Sequence, residues 1–239
     1  EPLYFQQSIR YSHIPWLNVM TPAKIKVTVC ELKIKPKRVA YIDGAGDNVD
    51  EALVKMGFKL DVVKAKDLWN INKNNYDVIV FGIRAFNTCE ELAKSKEFLE
   101  NFARNGGKVI FQYNTGHELV TQNFLGEDFK ISRNRVTNES SPVKILMPMH
   151  KILSDPNKIN EHDFDDWVQE RGLYFPGSYP KEFEEILSMS DSGEPPLNSG
   201  LLCKKIGKGY LIYTSLSWFR QLPAGVPGAY RLFANIISF

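Results

Sequence analysis

The chain has 239 residues, 43% of them hydrophobic and 24% charged, with 30 basic against 28 acidic side chains and a formal charge of +2. That balance belongs to a folded chain with a sizeable core and excludes a disordered one. The charges are interspersed, which argues against nucleic acid as the main partner, and no apolar run approaches the roughly 20 residues that a membrane-spanning helix needs.

Residues 1–36 read as an entry segment. The chain opens Glu1-Pro2-Leu3-Tyr4 without an initiator Met, as a piece of something longer would. Tyr11 to Trp16 is extended and aromatic, and Ile25, Val27 and Val29 alternate with Lys26 and Thr28, the period-2 signature of a half-buried strand. The basic run Lys33 to Arg38 is a solvated approach to the first sheet strand.

From residue 37 the pattern changes to an α/β domain that continues to 239. Arg38–Ile42 is a short apolar strand followed by Asp43-Gly44-Ala45-Gly46-Asp47, and Val49, Ala52, Leu53 and Met56 then recur at helical spacing up to Gly57. Leu60–Val63 reads as a second strand, and Tyr76–Gly82 as a third with the continuous apolar character of a doubly buried one. A helix over Glu90–Asn105 and a fourth strand at Lys108–Tyr113 follow. This alternation predicts right-handed crossovers and a doubly wound, mainly parallel sheet of five or six strands, flavodoxin-like in its layers. Residues 117–200 form an irregular insertion rich in Pro, Asn, Asp and Ser, with one strand at Val143–Met147. Two further strands, Leu201–Ile206 and Tyr210–Thr214, flank a Gly-rich turn, and a last helix covers Tyr230–Ser238.

Several strings carry residues suited to chemistry. Gly44, Gly46 and Asp47 follow a strand and open a helix, where backbone amides favour an anion. Val49 stands where a dinucleotide fingerprint needs its third glycine, which leaves a nucleotide, part of another ligand site or a tight turn open. The third strand ends in Gly82-Ile83-Arg84-Ala85-Phe86-Asn87-Thr88, with no G-x-C-x-G or G-x-S-x-G elbow. Cys89 lies near a helix start but has no evident base, so a packing role is the better reading. Cys30, Cys89 and Cys203 are odd in number and widely spaced, giving neither a disulfide framework nor a zinc pattern. Glu161-His162-Asp163 offers metal-donor atoms without a second ligand cluster, and an N-cap or surface turn suits it better. The sequence therefore names no catalytic residue, no metal ligand set and no cofactor.

The densest polar-aromatic strings are Trp167 to Phe175, with Gln169, Glu170 and Arg171, and Ser217 to Gly225, with Trp218, Arg220 and Gln221. Such side chains suit a sugar or small polar ligand, or equally a buried network tying the insertion to the sheet. Ligands of open α/β sheets sit beyond the carboxyl ends of the strands. Gly44 to Asp47, Arg84 to Asn87, Gln112 to Asn114 and Trp218 to Gln221 all begin near such ends, so a cleft is expected there if Glu170 and Arg171 fold over them.

Five strings together resemble the C-terminal region of large bacterial deacetylases of the PIG-L/LmbE type. They are Tyr41 to Asp47, Gly82 to Thr88, Gln112 to Thr115, Trp167 to Phe175 and Phe219 to Leu232. The resemblance covers nearly the whole chain. It implies a class I glutamine-amidotransferase-like domain placed after a zinc-dependent N-acetylglucosaminyl deacetylase domain. The implied partners are that deacetylase domain and a glycan or amino-sugar ligand, in a parent compatible with the periplasm or the exterior. The His-Pro-Asp-Asp motif of the deacetylase is absent, and His13, His117, His150 and His162 are isolated. The His-x-Glu pair of true amidotransferases is also missing from Tyr210–Phe239. Hydrolytic activity is therefore not carried over to this chain, which reads as an accessory domain; the alternative is a hydrolase or amidotransferase-like enzyme using the strand-end cleft, with carboxylates such as Asp47 or Glu170.

Overall fold

The computed structural model describes residues 3–24 and 26–239. Its elements run in chain order as a hairpin, a sheet with crossover helices, a long insertion and a closing hairpin and helix. The first hairpin pairs β1 (Tyr4–Ile9) with β2 (Leu17–Pro22). Next come β3 (Arg38–Ile42), α1 (Val49–Met56), β4 (Lys59–Val62), β5 (Val78–Phe81), a single-turn α2 (Ala85–Thr88), α3 (Lys96–Arg104) and β6 (Lys108–Gln112). The insertion holds β7 (Lys130–Ile131), β8 (Val143–Ile145), α4 (Lys151–Ser154), β9 (Pro176–Ser178), β10 (Glu184–Glu185) and β11 (Leu187–Met189). The chain finishes with β12 (Leu201–Ile206), β13 (Gly209–Thr214), a single-turn α5 (Trp218–Gln221) and α6 (Pro227–Ser238).

The central sheet has seven strands in the order β10-β12-β13-β6-β5-β3-β4. From β4 to β13 neighbouring strands are parallel, and β12 and β10 extend the edge antiparallel. The five parallel strands thus take the flavodoxin-like order, with the first strand flanked by the second and third. The count exceeds the five or six expected, because the two-residue β10 lies inside the irregular insertion, where no periodicity marks it. Buried strands send alternate residues to opposite faces. Val39, Tyr41, Val78, Val80 and Ile110 pack under α1 and α6, while Ala40, Ile42, Ile79, Phe81 and Phe111 pack under α3.

Four further expectations from the sequence need correction. Tyr11 to Trp16, expected to be extended, is the turn of the first hairpin, where the Ile14 amide donates to the Tyr11 carbonyl at 3.3 Å. The alternating stretch after Pro22 forms no strand over residues 26–29: Val27 and Val29 are 81% and 92% exposed, and no neighbour pairs with them. Ile25 lies outside the described residues. Alternation makes a strand only where a partner supplies the ladder, and here the partnered segment is the upstream hairpin. The helix expected over Glu90–Asn105 is a 3-10 turn at Glu90–Lys94 and then α3, interrupted where the Ser95 hydroxyl donates to the Leu92 carbonyl at 2.7 Å. The last helix begins earlier, at Pro227, because proline suits a first helical turn whose amides have no internal partner.

Candidate functional site at the strand ends

Parallel order reverses beside β3, so the crevice of this fold lies at the carboxyl ends of β3 and β5. The chain fills much of it with its own backbone. The Asp47 carboxylate accepts from the Tyr41 hydroxyl at 2.5 Å, the Val49 amide at 3.0 Å and the Ile83 amide at 2.9 Å, and the Ala45 amide donates to the Ile83 carbonyl at 2.8 Å. A Cβ on Gly44 would stand 2.1 Å from that carbonyl. The Gly44–Asp47 loop is therefore a clamp that grips the next turn. Gly46, at φ +90°, is the open residue of the loop.

The turn it grips runs from β5 directly into α2, the strand-turn-helix geometry that presents a nucleophile in other α/β folds. Arg84 occupies its apex in the left-handed region, at φ 56° and ψ 22°. Its amide donates to the Tyr113 carbonyl at 2.8 Å, which ties the turn to β6. A left-handed conformation costs a residue with a side chain about 1–3 kcal/mol, and such strain collects at functional sites. The Arg84 Nε is buried without an acceptor, and among the described residues no carboxylate pairs with the guanidinium.

Around Arg84 stands an aromatic group. Tyr113 stacks on Tyr174 with centroids 5.7 Å apart and meets Phe219 at 5.6 Å, and Ile83 and Leu173 complete the cluster. Tyr174 too is left-handed, at φ 52°. Glu170 pairs with Arg220 at 2.5 Å, and Arg220 also lies over the Phe219 ring. Burial raises the Tyr113 hydroxyl above its ordinary pKa, with Arg84 opposing, Glu170 and Tyr174 reinforcing and Arg220 opposing. One hydroxyl thus feels all three charged residues.

The other candidates serve the interior. Gln112 is fully buried and donates to the Tyr41 hydroxyl at 3.3 Å, leaving its Oε1 without a partner. Asn114 accepts from the Phe86 amide at 2.9 Å, and Asn87 bridges to Thr115 and His117. Trp167 and Trp218 lie in the core, their indoles donating to the Asp163 carbonyl and the Thr214 hydroxyl. Gln221 accepts from the Val168 amide at 2.8 Å and donates to the Val168 carbonyl at 2.9 Å, the Glu170 carbonyl at 3.2 Å and the Ser217 hydroxyl at 3.0 Å. Arg171 donates to the carbonyls of Ser141 and Phe164, and burial brings its pKa down to about 10. Of the pair expected to fold over the strand ends, Glu170 reaches the cluster and Arg171 turns inward. Tyr113, Tyr174 and Phe219 lie inside or beside the polar-aromatic strings of the sequence. Their pattern of rings at strand ends was the available signal.

Cys89 donates weakly to the Asp43 carbonyl at 3.5 Å and lies 3.7 Å from the Thr88 hydroxyl. The Glu161–Phe164 segment is a 3-10 turn capped by Asn160, with Asp163 closing the capping box and binding Arg231 at 2.7 Å. Elsewhere, ligand atoms of His150, Glu184 and Cys203 lie within 4.8 Å of one another. The Ile152 amide donates to His150 Nδ1 at 3.1 Å, which places the ring proton on Nε2, facing Glu184 at 3.4 Å. A metal would need that Nε2 lone pair and the Cys203 thiolate, whereas burial pushes the thiol well up.

No family model matches the chain, and no curated protein matches its sequence. Solved structures do resemble it. A protein of Thermoplasma acidophilum described as a putative GMP synthase subunit superposes with a TM-score of 0.53 at 11% identity, over 84% of this chain and 92% of that one. A cytoplasmic protein from Salmonella typhimurium gives 0.50 at 15% identity, over 83% and 97%. At these identities the likeness is one of fold. The chain has the class I glutamine-amidotransferase-like architecture, a doubly wound and mainly parallel sheet with an irregular insertion. No helix among the described residues is long and apolar enough to cross a membrane.

Proposed function

We propose that this chain is a non-catalytic ligand-binding domain, working beside a deacetylase domain of the PIG-L type and holding a glycan or amino-sugar end group at the strand ends. The observation that carries this reading is the elbow itself. Where an amidotransferase would present a thiol, this turn presents the guanidinium of Arg84, a permanent cation with no lone pair for attack. The ring of Tyr174, backed by the buried Tyr113 on which it stacks, supplies a flat apolar wall, and Glu170 with Arg220 a polar rim. That combination suits a pyranose, which is apolar on its faces and polar at its edge.

Titration of the purified chain with N-acetylglucosamine oligomers tests the proposal. Saturable binding is expected, weakened by Arg220→Ala at an unchanged melting temperature. A parallel assay of glutamine hydrolysis is expected to show no turnover, and turnover abolished by Cys89→Ala would overturn the non-catalytic reading.

A second reading, docking on the deacetylase domain, is favoured by the β1–β2 hairpin. Both its strands are exposed, with Tyr11 and Trp16 at 61% and 71%. An isolated two-stranded hairpin is marginal in water, so a covering partner would stabilise it. No oligomer binding, together with affinity for the separate deacetylase domain, selects this alternative.

A further inference from the structure

We infer that the strand-end site receives a carboxylate on Arg84, which makes the preferred ligand an acidic sugar rather than a neutral one. This deepens the sugar-binding reading and rests on it. The first support is a comparison of cations. Arg220 is paired with Glu170, Arg231 with Asp163, and Arg171 lies against two carbonyl oxygens. Arg84 alone among these four is without a counter-group among the described residues; Arg135, 5.9 Å over the Tyr174 ring, also has no carboxylate but is exposed, whereas the Arg84 Nε is sealed from water with no acceptor. The guanidinium is thus partly desolvated before any ligand arrives. A cation in that state gains more from an anion than a fully hydrated one does, because less water must be removed and the field is less screened.

The second support is positional. The Arg84 backbone is fixed by the Tyr113 carbonyl and by the left-handed turn, so the guanidinium starts from a rigid base beside the Tyr113–Tyr174 stack. Preorganisation of this kind lowers the entropic cost of binding. The third support is the charge that the site can accept. A single planar guanidinium matches the plane and single charge of a carboxylate through two parallel hydrogen bonds.

The test compares three probes on the whole chain by calorimetry: N-acetylglucosamine oligomers, hexuronate oligomers, and citrate as a carboxylate without a sugar. The variant is Arg84→Gly, because glycine adopts the left-handed turn without strain and so removes the guanidinium while keeping the backbone turn. Hexuronate oligomers are expected to bind at least about tenfold more tightly than neutral ones, with that advantage lost in Arg84→Gly and reduced by added salt. The melting temperature of the variant is expected to be unchanged or higher. Equal binding of neutral and acidic oligomers, or an advantage that persists in Arg84→Gly, overturns the carboxylate assignment and leaves the sugar reading intact. Citrate binding that depends on Arg84, with no oligomer binding, does the reverse. Silence from all three probes removes both, and a variant that melts lower shows Arg84 to be a structural residue.

Discussion

The elbow at Arg84 and the seam between Asp163–Arg171 and Ser217–Gln221 are built from the same kinds of side chain, yet they end in opposite states. In the seam, hydrogen bonds within the protein take up the polar groups of Gln221, Arg171, Trp167 and Trp218. At the elbow, a strained residue holds a guanidinium for which the described residues supply no carboxylate. Residue type alone therefore does not separate scaffold from site. What separates them is whether the fold has already satisfied each polar group, since a satisfied group gains little from a ligand and an unsatisfied one gains much.

The comparison can be broken most severely at the seam. Gln221→Leu keeps the bulk but removes the partners of the Val168 amide and carbonyl. It should destabilise the chain by about 3 kcal/mol, lowering the melting temperature by roughly 6–12 °C. Thermal unfolding followed by circular dichroism checks this. A shift near zero would mean that the seam does not act as scaffold.

The clamp that grips the elbow comes next. In Gly44→Ala the new methyl would stand 2.1 Å from the Ile83 carbonyl oxygen and 2.8 Å from the Ala85 amide nitrogen. The loop must move away from the elbow, at a cost of about 1–3 kcal/mol. Because Ile83 and Ala85 flank Arg84, ligand affinity should fall along with stability. Stability lost with affinity intact would show that the elbow keeps its geometry without the clamp.

The smallest effect sharpens the comparison by pH. Burial alone would raise the Asp191 carboxyl, but four hydrogen bonds bring it to about 2: one from the Ser141 hydroxyl, two from the Thr137 amide and hydroxyl, and one from the Asn138 amide. A carboxyl lowered in the folded state stabilises the fold above its unfolded value, here 3.8, and loses that contribution as pH falls through the folded value. The insertion should therefore loosen between about pH 4 and 2, seen as faster amide exchange around Thr137–Ser141. Asp191→Asn should flatten that dependence while leaving the strand-end cluster unchanged.

By itself the sequence determined the layers: continuous apolar runs at Val78–Phe81 and Lys108–Gln112 are what doubly buried strands require, and Gly57 marked the end of α1 with a left-handed φ of +99°. It also showed that the elbow string holds neither cysteine nor serine, because that is a matter of residue identity. Strand order was not legible there, nor was the failure of the stretch after Pro22 to pair, since pairing depends on partners far along the chain. The same holds for the site. Trp167, Arg171, Trp218 and Gln221 looked as suited to a ligand as Arg84 did, and only the tertiary structure put Val168 against Gln221 across 53 positions while leaving Arg84 without a carboxylate. Local pattern fixes which groups are polar and where backbone turns. Satisfaction of those groups is decided by long-range contacts, and it is satisfaction that determines which of them remain available to bind.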